Sequence, residues 1–215
     1  MEVDLHMHSL YSPDSRSRIE EMVRRASDVG LGAIAITDHD SWEGARAAAK
    51  IAPPNLLIIP GAELKTDKGD LIAIFVEKEI VSRSFDEAVE KIHAHGGIAI
   101  VPHPGESRKV TKDAIAKADG YEAFNATLSA ADNRRSVELA SGLNKPGIAV
   151  SDAHLVMEIG NGRVKVPDCT TLAELREVVL KDSVITRRVK SNPLIHRTNE
   201  AILFGTKGIW RRRSL

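Results

Sequence analysis

Short runs of apolar, often β-branched residues recur along the chain, separated by stretches whose apolar positions return every three or four residues. Residues 3–6, 33–37, 56–60, 71–76, 98–101, 121–123 and 147–150 have the length and side-chain type of strands. Residues 18–29, 42–50, 85–95, 112–117, 132–141 and 171–180 carry helical period instead. Gly30, Gly96 and Gly142 follow three of these segments, where a helix ends on a left-handed residue. Near-continuous apolar strands alternating with helices predict an α/β fold, with parallel strands covered on both faces. Seven such units fit a compact barrel or a doubly wound sheet, and periodicity does not choose between them.

Histidines and acids gather where the predicted strands end. His6 and His8 close the first strand, and in extended chain residues two apart point the same way, so both imidazoles can face one ion. Asp38 and His39 follow the second strand, Glu63 the third and His103 the fifth. Asp152 and His154 follow the seventh, again two apart. The C-terminal ends of strands in one parallel sheet converge on one face, where barrels and open α/β sheets place their sites. Five of the eight histidines occupy such positions; His93 and His95 fall at a helix end, and His196 lies near the C-terminus. A lone His-x-His or Asp-x-His is more often a polar strand end than a ligand pair. Two such pairs, with Glu63 and two further histidines, point to a metal site.

The donors also limit the metal. Nitrogen and carboxylate oxygen without thiolate suit Zn, Mn or Fe, and exclude an iron–sulfur cluster or a soft copper site. There are more donors than one tetrahedral ion can use, so two or three divalent ions are expected, with Glu63 or Asp152 bridging. Closely spaced ions activate a shared water and offset phosphate charge, which points to hydrolysis of a phosphate ester.

Composition adds boundaries. The 215 residues suffice for one sizeable domain, and 42% hydrophobic with 28% charged is ordinary for a globular protein. No apolar run approaches the roughly 20 residues of a membrane span, so no membrane partner is expected. An acidic second residue and no apolar core near the N-terminus argue against a secretory peptide. The single cysteine, Cys169, excludes an internal disulfide and a cysteine-rich zinc site, and makes a reducing, cytoplasmic setting the default. Charge is uneven: from Lys181 onward nine basic residues face two acidic ones, a net +7 against −7 for the rest. That asymmetry suits contact with a polyanion, and equally a solvated tail or a segment packed on the acidic body. Trp210 is the only Trp or Tyr among those basic residues, which leaves little for base stacking. Ser191-Asn192-Pro193 reads as the break between a domain over residues 1–190 and a basic segment over 191–215.

Six motifs occur in order: Asp4-Leu5-His6-Met7-His8-Ser9, Ser12-Pro13-Asp14, Thr37-Asp38-His39-Asp40, Gly61-Ala62-Glu63, His103-Pro104 and Ser151-Asp152-Ala153-His154. In these the chain resembles the polymerase-and-histidinol-phosphatase (PHP) superfamily, from about Glu2 to about Arg187. The resemblance implies a distorted (β/α)7 barrel holding two or three ions, commonly Mn, Zn or Fe. It assigns His6, His8, Glu63 and Asp152 to a first ion, and has Glu63 bridge to a second held by His103. His39 and His154 would hold a third, with Asp14 in the remaining ligand position. The second ion usually takes a further His from the fourth strand; here Gly69-Asp70-Leu71 puts Asp70 there, hardening the site toward Mn. The competing reading makes Asp70 a turn residue before a strand. Asp38 is expected to orient a ligand rather than to be one, and Ser9, Ser151 and Pro104 to shape loops or place hydrogen bonds.

For the phosphate, Arg108 on the loop after His103-Pro104 is the preferred contact, because guanidinium binds phosphate bidentately. Arg134-Arg135 is the second candidate. The expected function is a metal-dependent phosphoesterase acting on a small phosphorylated substrate, a nucleotide or a short oligonucleotide. The alternatives are a histidinol-phosphate phosphatase, a class whose members run longer, and a non-catalytic PHP module binding nucleic acid or a partner protein. Degenerate ligand positions would mark such a module, and here only Asp70 departs. Oligomeric state is left open.

Overall fold

Ten strands and six helices alternate through residues 1–192, the part of the chain that the computed structural model describes. They are β1 (Glu2–Asp4), α1 (Ile19–Asp28), β2 (Leu31–Ala35), α2 (Glu43–Ala49), β3 (Leu57–Ile59), β4 (Gly61–Thr66), β5 (Gly69–Ile74) and α3 (Phe85–Ala94). Then come β6 (Ile98–Val101), α4 (Lys112–Lys117), β7 (Gly120–Asn125), α5 (Ala130–Ala140), β8 (Gly147–Val150), β9 (Gly162–Lys165), α6 (Leu172–Val178) and β10 (Val184–Arg188). Each predicted strand and helix forms. Gly30, Gly96 and Gly142 take φ of 75°, 73° and 78°, as their places after helices require.

The arrangement of the strands differs from the expectation. They form two five-stranded sheets, ordered β10-β9-β1-β2-β3 and β4-β5-β6-β7-β8, instead of one parallel sheet. The β1-β2-β3 and β6-β7-β8 ladders are parallel, whereas β4-β5-β6 and β1-β9-β10 pair antiparallel. Three strands were not expected. β4 hides behind Pro60-Gly61, which reads as a loop; proline has no N–H to extend the β2–β3 ladder, and the chain changes sheets there. β9 and β10 are short and carry charged residues, so neither shows the apolar run of a core strand; β10 is the edge of its sheet.

Among the described residues the ladders do not close into a seven-unit barrel. The sheets meet instead at two single bridges, Met7 with Ala153 and His39 with Glu63. Around them His8 N–H donates to the Ala153 carbonyl (2.9 Å), Asp152 N–H to His6 (2.9 Å), Glu63 N–H to Asp38 (3.1 Å) and Asp40 N–H to Glu63 (2.8 Å). The seam between the sheets therefore runs through the predicted donors.

Alternate residues of single strands feed different cores, as a period of two requires. Ala33 and Ala35 of β2 join Val3, Leu5, Ile72, Ile74, Ile148 and Val150 in one core, while Ile34 packs with Met22, Ala26, Ala45 and Ala48 under α1 and α2. Leu71 and Ala73 of β5 face the other way, against Phe85 and Ile92 of α3 and Ile115 of α4. Each fully buried Leu, Ile or Phe contributes about 1.5–3 kcal/mol, so the strands carrying the donors rest on rigid packing from both sides.

No helix among the described residues is long and apolar enough to cross a membrane. The start of the basic stretch is folded: Arg187 and Arg188 lie in β10, and Ser191 N–H donates to the Ala126 carbonyl at 2.8 Å. Residues 193–215, with His196, Trp210 and most of the expected basic segment, lie outside the described residues.

Candidate metal centre

Past β1 the chain stays extended and places His6 and His8 side by side, 0% and 1% exposed, with ring centroids 4.9 Å apart. Their Nε2 atoms are 3.0 Å apart. Glu63 Oε2, from β4 in the other sheet, is 3.4 Å from each. Asp152 Oδ1, just beyond β8, is 3.5 Å from His6 Nε2 and 3.3 Å from His8 Nε2. Four donors held tetrahedrally about 2.0–2.2 Å from one ion stand about 3.3–3.6 Å from one another. Four of the five separations fall within that range, and the fifth is only slightly shorter.

The other expected donors surround this group. His103 Nε2 lies 2.9 Å from Glu63 Oε1, and Glu63, Asp70 and His103 offer donors all within 4.8 Å of one another. His39 Nδ1 is 3.2 Å from Glu63 Oε2, and its Nε2 is 2.9 Å from Asp14 Oδ2. His154 Nε2 approaches the same Asp14 oxygen at 3.6 Å, and His8, Asp14 and His154 form a third cluster within 4.8 Å. The structure thus brings together His6, His8, Asp14, His39, Glu63, Asp70, His103, Asp152 and His154. Asp70 lies inside β5, opposite Lys65, not in the turn before it.

These residues fit divalent cations. Glu63 Oε2 and Asp152 Oδ1 are buried without a hydrogen bond, although leaving such an atom unsatisfied costs about 1–3 kcal/mol or more. Both point at imidazole nitrogens. His103 and Asp152 also hold φ of 32° and 48°, a backbone region that non-glycine residues seldom adopt and that clusters at functional sites.

In the protein alone the acids and imidazoles hold one another charged. Burial would lower His6, but the charges of Asp152, Glu122 and Glu63 outweigh it and raise it well above the usual value. Against the same burial, Glu63 lifts His103 to about 10, and Asp14 and Asp152 lift His154 to about 9. Glu63 and Asp152 stay well below the carboxylate range despite burial, chiefly through His6. His8 is the exception, pushed down to about 4 by burial and by His154.

Other residues fix the donors. Ser12 Oγ is 3.2 Å from His8 Nδ1 and accepts His39 N–H at 3.3 Å. Ser151 Oγ–H donates to the His6 carbonyl at 3.2 Å. Asp38 does not orient a ligand side chain as expected. It accepts the backbone N–H and the hydroxyl of Ser9, both at 2.6 Å, and so pins the loop after His8.

Glu122 escaped the sequence reading. Its side chain is fully buried, 2.6 Å from His6 Nδ1, and accepts the His103 N–H at 2.7 Å. The signal available was an acid inside an otherwise apolar strand, a residue type rarely buried without partners.

Arg108 is exposed on the loop after His103, and no hydrogen bond or ion pair engages it among the described residues. Arg135 donates to the Gly105 carbonyl at 3.2 Å, tethering that loop to α5. A Cβ on Gly105 would stand 1.9 Å from the Asp132 carbonyl oxygen, so only glycine allows this approach.

A buried group of histidines and acids, brought together between the two sheets and left partly unsatisfied, has the donor set of a divalent-metal site. The chain belongs to the PHP domain family, whose signature matches residues 4–143, while residues 130–184 match the family described as PHP-associated. An uncharacterised protein of Methanocaldococcus jannaschii is 33% identical over 141 residues, 59% of this chain and 82% of the relative. A two-domain protein of Bacteroides vulgatus, containing a predicted PHP-like metal-dependent phosphoesterase, superposes with a TM-score of 0.73 at 20% identity over 87% of this chain. A lesion-specific endonuclease of Pyrococcus furiosus gives 0.61 at 17% identity over 89%. The chain spans 65% and 59% of the lengths of those two structures.

Proposed function

We propose that the chain is a metal-dependent phosphoesterase that hydrolyses phosphate esters, with nucleotides or short oligonucleotides as its substrate class. The observation that carries this is the shared carboxylate of Glu63, whose two oxygens face two different sets of donors. On this reading His6, His8, Glu63 and Asp152 hold one divalent ion, and Glu63, His103 and Asp70 a second. Asp14, His39 and His154 supply a third position. Held by these residues, Mn, Zn or Fe would supply Lewis acidity toward a phosphate ester and toward the water that attacks it.

The protein's own share is positioning. Burial keeps bulk water from His6, His8 and Glu63, and the inter-sheet hydrogen bonds hold the chain segments that carry them. Arg108, free of protein partners on the rim loop, contacts the substrate phosphate. The two bridges between the sheets support a distorted (β/α)7 barrel as the underlying architecture. The endonuclease named above supports phosphodiesters of nucleic acid as the substrate class.

The test is elemental analysis of freshly purified protein, paired with phosphate release from nucleotides, short RNAs and histidinol phosphate under added Mn²⁺. Two or three equivalents of metal and release from the nucleotide or RNA members is the expected result. Release from histidinol phosphate alone would overturn the substrate class. Absence of both metal and release would turn the assignment to a non-catalytic module.

A further inference from the structure

Strand β7 is irregular where it meets the site. Glu122 pairs with Ile148, but Phe124 pairs with Ala149 and Asn125 with Val150, so Ala123 is an extra residue. In a regular strand residues three apart point to opposite faces. A bulge resets the alternation, and Glu122 and Asn125 come to face the same side. Asn125 Nδ2–H donates to Glu122 Oε2 at 2.8 Å, and both residues are fully buried.

From there the pair reaches three of the donors. Glu122 Oε1 lies 2.6 Å from His6 Nδ1, so that nitrogen carries the proton and Nε2 is turned toward His8, Glu63 and Asp152. Glu122 Oε2 also accepts the backbone N–H of His103, the residue held at φ 32°. Asn125 Nδ2 donates to Asp152 Oδ2 at 3.0 Å, and the Thr127 hydroxyl is 3.1 Å from the same oxygen. That leaves Asp152 Oδ1 as the oxygen facing the imidazoles. Asn125 itself is anchored to α5, accepting from Asn133 Nδ2 at 3.0 Å and donating its N–H to Asn133 Oδ1 at 2.8 Å.

We propose that Glu122 and Asn125 are a positioning pair, placed by the β7 bulge, that sets how His6, Asp152 and His103 present their donor atoms to divalent ions. The inference rests on the metal-dependent reading above and adds the residues that tune it. Because the pair touches His6 and Asp152 of the first group and His103 of the second, it couples the two. Glutamine at 122 keeps the size of the side chain but turns one acceptor oxygen into a donor. That donor faces either His6 Nδ1–H or the N–H groups of His103 and Asn125.

The experiment uses the full chain stripped of metal, titrated with Mn²⁺ in a calorimeter and loaded with Co²⁺ for its visible absorption spectrum. Partners behind metal-bound histidines typically govern affinity by about 10–100-fold. Glu122→Gln is expected to weaken Mn²⁺ by that factor and to change the Co²⁺ spectrum, and Asn125→Ala to weaken Mn²⁺ by a smaller factor. If Glu122→Gln does not fold, Asn125→Ala carries the test alone. Binding and spectra equal to the unsubstituted protein in the folded variants would overturn the pair's role and leave the metal-dependent reading standing. If the unsubstituted protein takes up neither ion, both fall.

Discussion

Two donor groups share Glu63, and they are built to different tolerances. The side chains of His6, His8 and Glu63 are 0–1% exposed and that of Asp152 10%, and backbone hydrogen bonds across the seam tie Asp152 to His6, His8 to Ala153, and Glu63 to Asp38. The second group draws His103 from a loop, 13% exposed, and Asp70 from a half-buried strand position. No hydrogen bond fixes the Asp70 carboxylate among the described residues. Burial and the Glu63 charge together raise its pKa. The contrast teaches that pre-organisation here comes from chain segments stitched between sheets, and is weaker where a donor carboxylate, that of Asp70, has no hydrogen bond to hold it among the described residues. The first group should bind an ion tightly and the second exchange it.

The strongest way to break the contrast is to remove a donor both groups depend on or one the tight group cannot spare. Glu63→Ala, Asp152→Ala and His8→Ala should each abolish phosphate release while far-UV circular dichroism stays that of the native chain. The ladders do not depend on those side chains. Glu63→Ala should lose metal from both groups, the other two mainly from the first. Wild-type turnover in any of the three would contradict the hydrolytic account.

Asp70→Ala sharpens the contrast, because it touches the second group alone. Elemental analysis should show one equivalent fewer, with turnover reduced and not abolished. Asp70→His should shift the preferred ion from Mn toward Zn, since imidazole is the softer donor. An unchanged stoichiometry in Asp70→Ala would place Asp70 outside the site. A subtler variant is Gly105→Ala. Its Cβ meets the Asp132 carbonyl, and overpacking of this kind costs about 1–3 kcal/mol. The melting temperature should fall, and metal should be lost from the His103 group before the first. Loss from both groups together would mean that the loop supports the whole site.

What the sequence made legible was local. His6 and His8, or Asp152 and His154, announce themselves by a spacing of two at a strand end, and nothing distant is needed to see it. Residues 33–37 and 98–101 are apolar on both faces, so their burial is written in their composition. The partition into two sheets was not legible, because pairing depends on which edges meet. Pro60 concealed β4, so Glu63 read as a residue after a strand when it sits within one. Glu122 and Asn125 stand three apart, a spacing that argues against a shared face until the bulge at Ala123 is known. Asp38 looked like a partner for a histidine because of its neighbour His39, but its carboxylate turns to Ser9, on the loop that follows the neighbouring strand β1.

The smallest expected effect lies outside both groups. Arg108 shares the loop of His103 but touches no donor, so it can act on substrate without acting on metal. Arg108→Ala should raise KM for a phosphate substrate several-fold, in line with the roughly 1.5–3 kcal/mol of a hydrogen bond to a charged group reduced by solvent exposure. Bound metal and kcat should stay unchanged. Steady-state kinetics on the metal-loaded protein, with elemental analysis of the same sample, separates the two quantities. A fall in metal content would make the loop's contribution structural, running through His103. An unchanged KM would remove Arg108 from substrate binding and turn attention to Lys65, exposed on β4 two residues beyond Glu63 and so pointing to the same side of the strand.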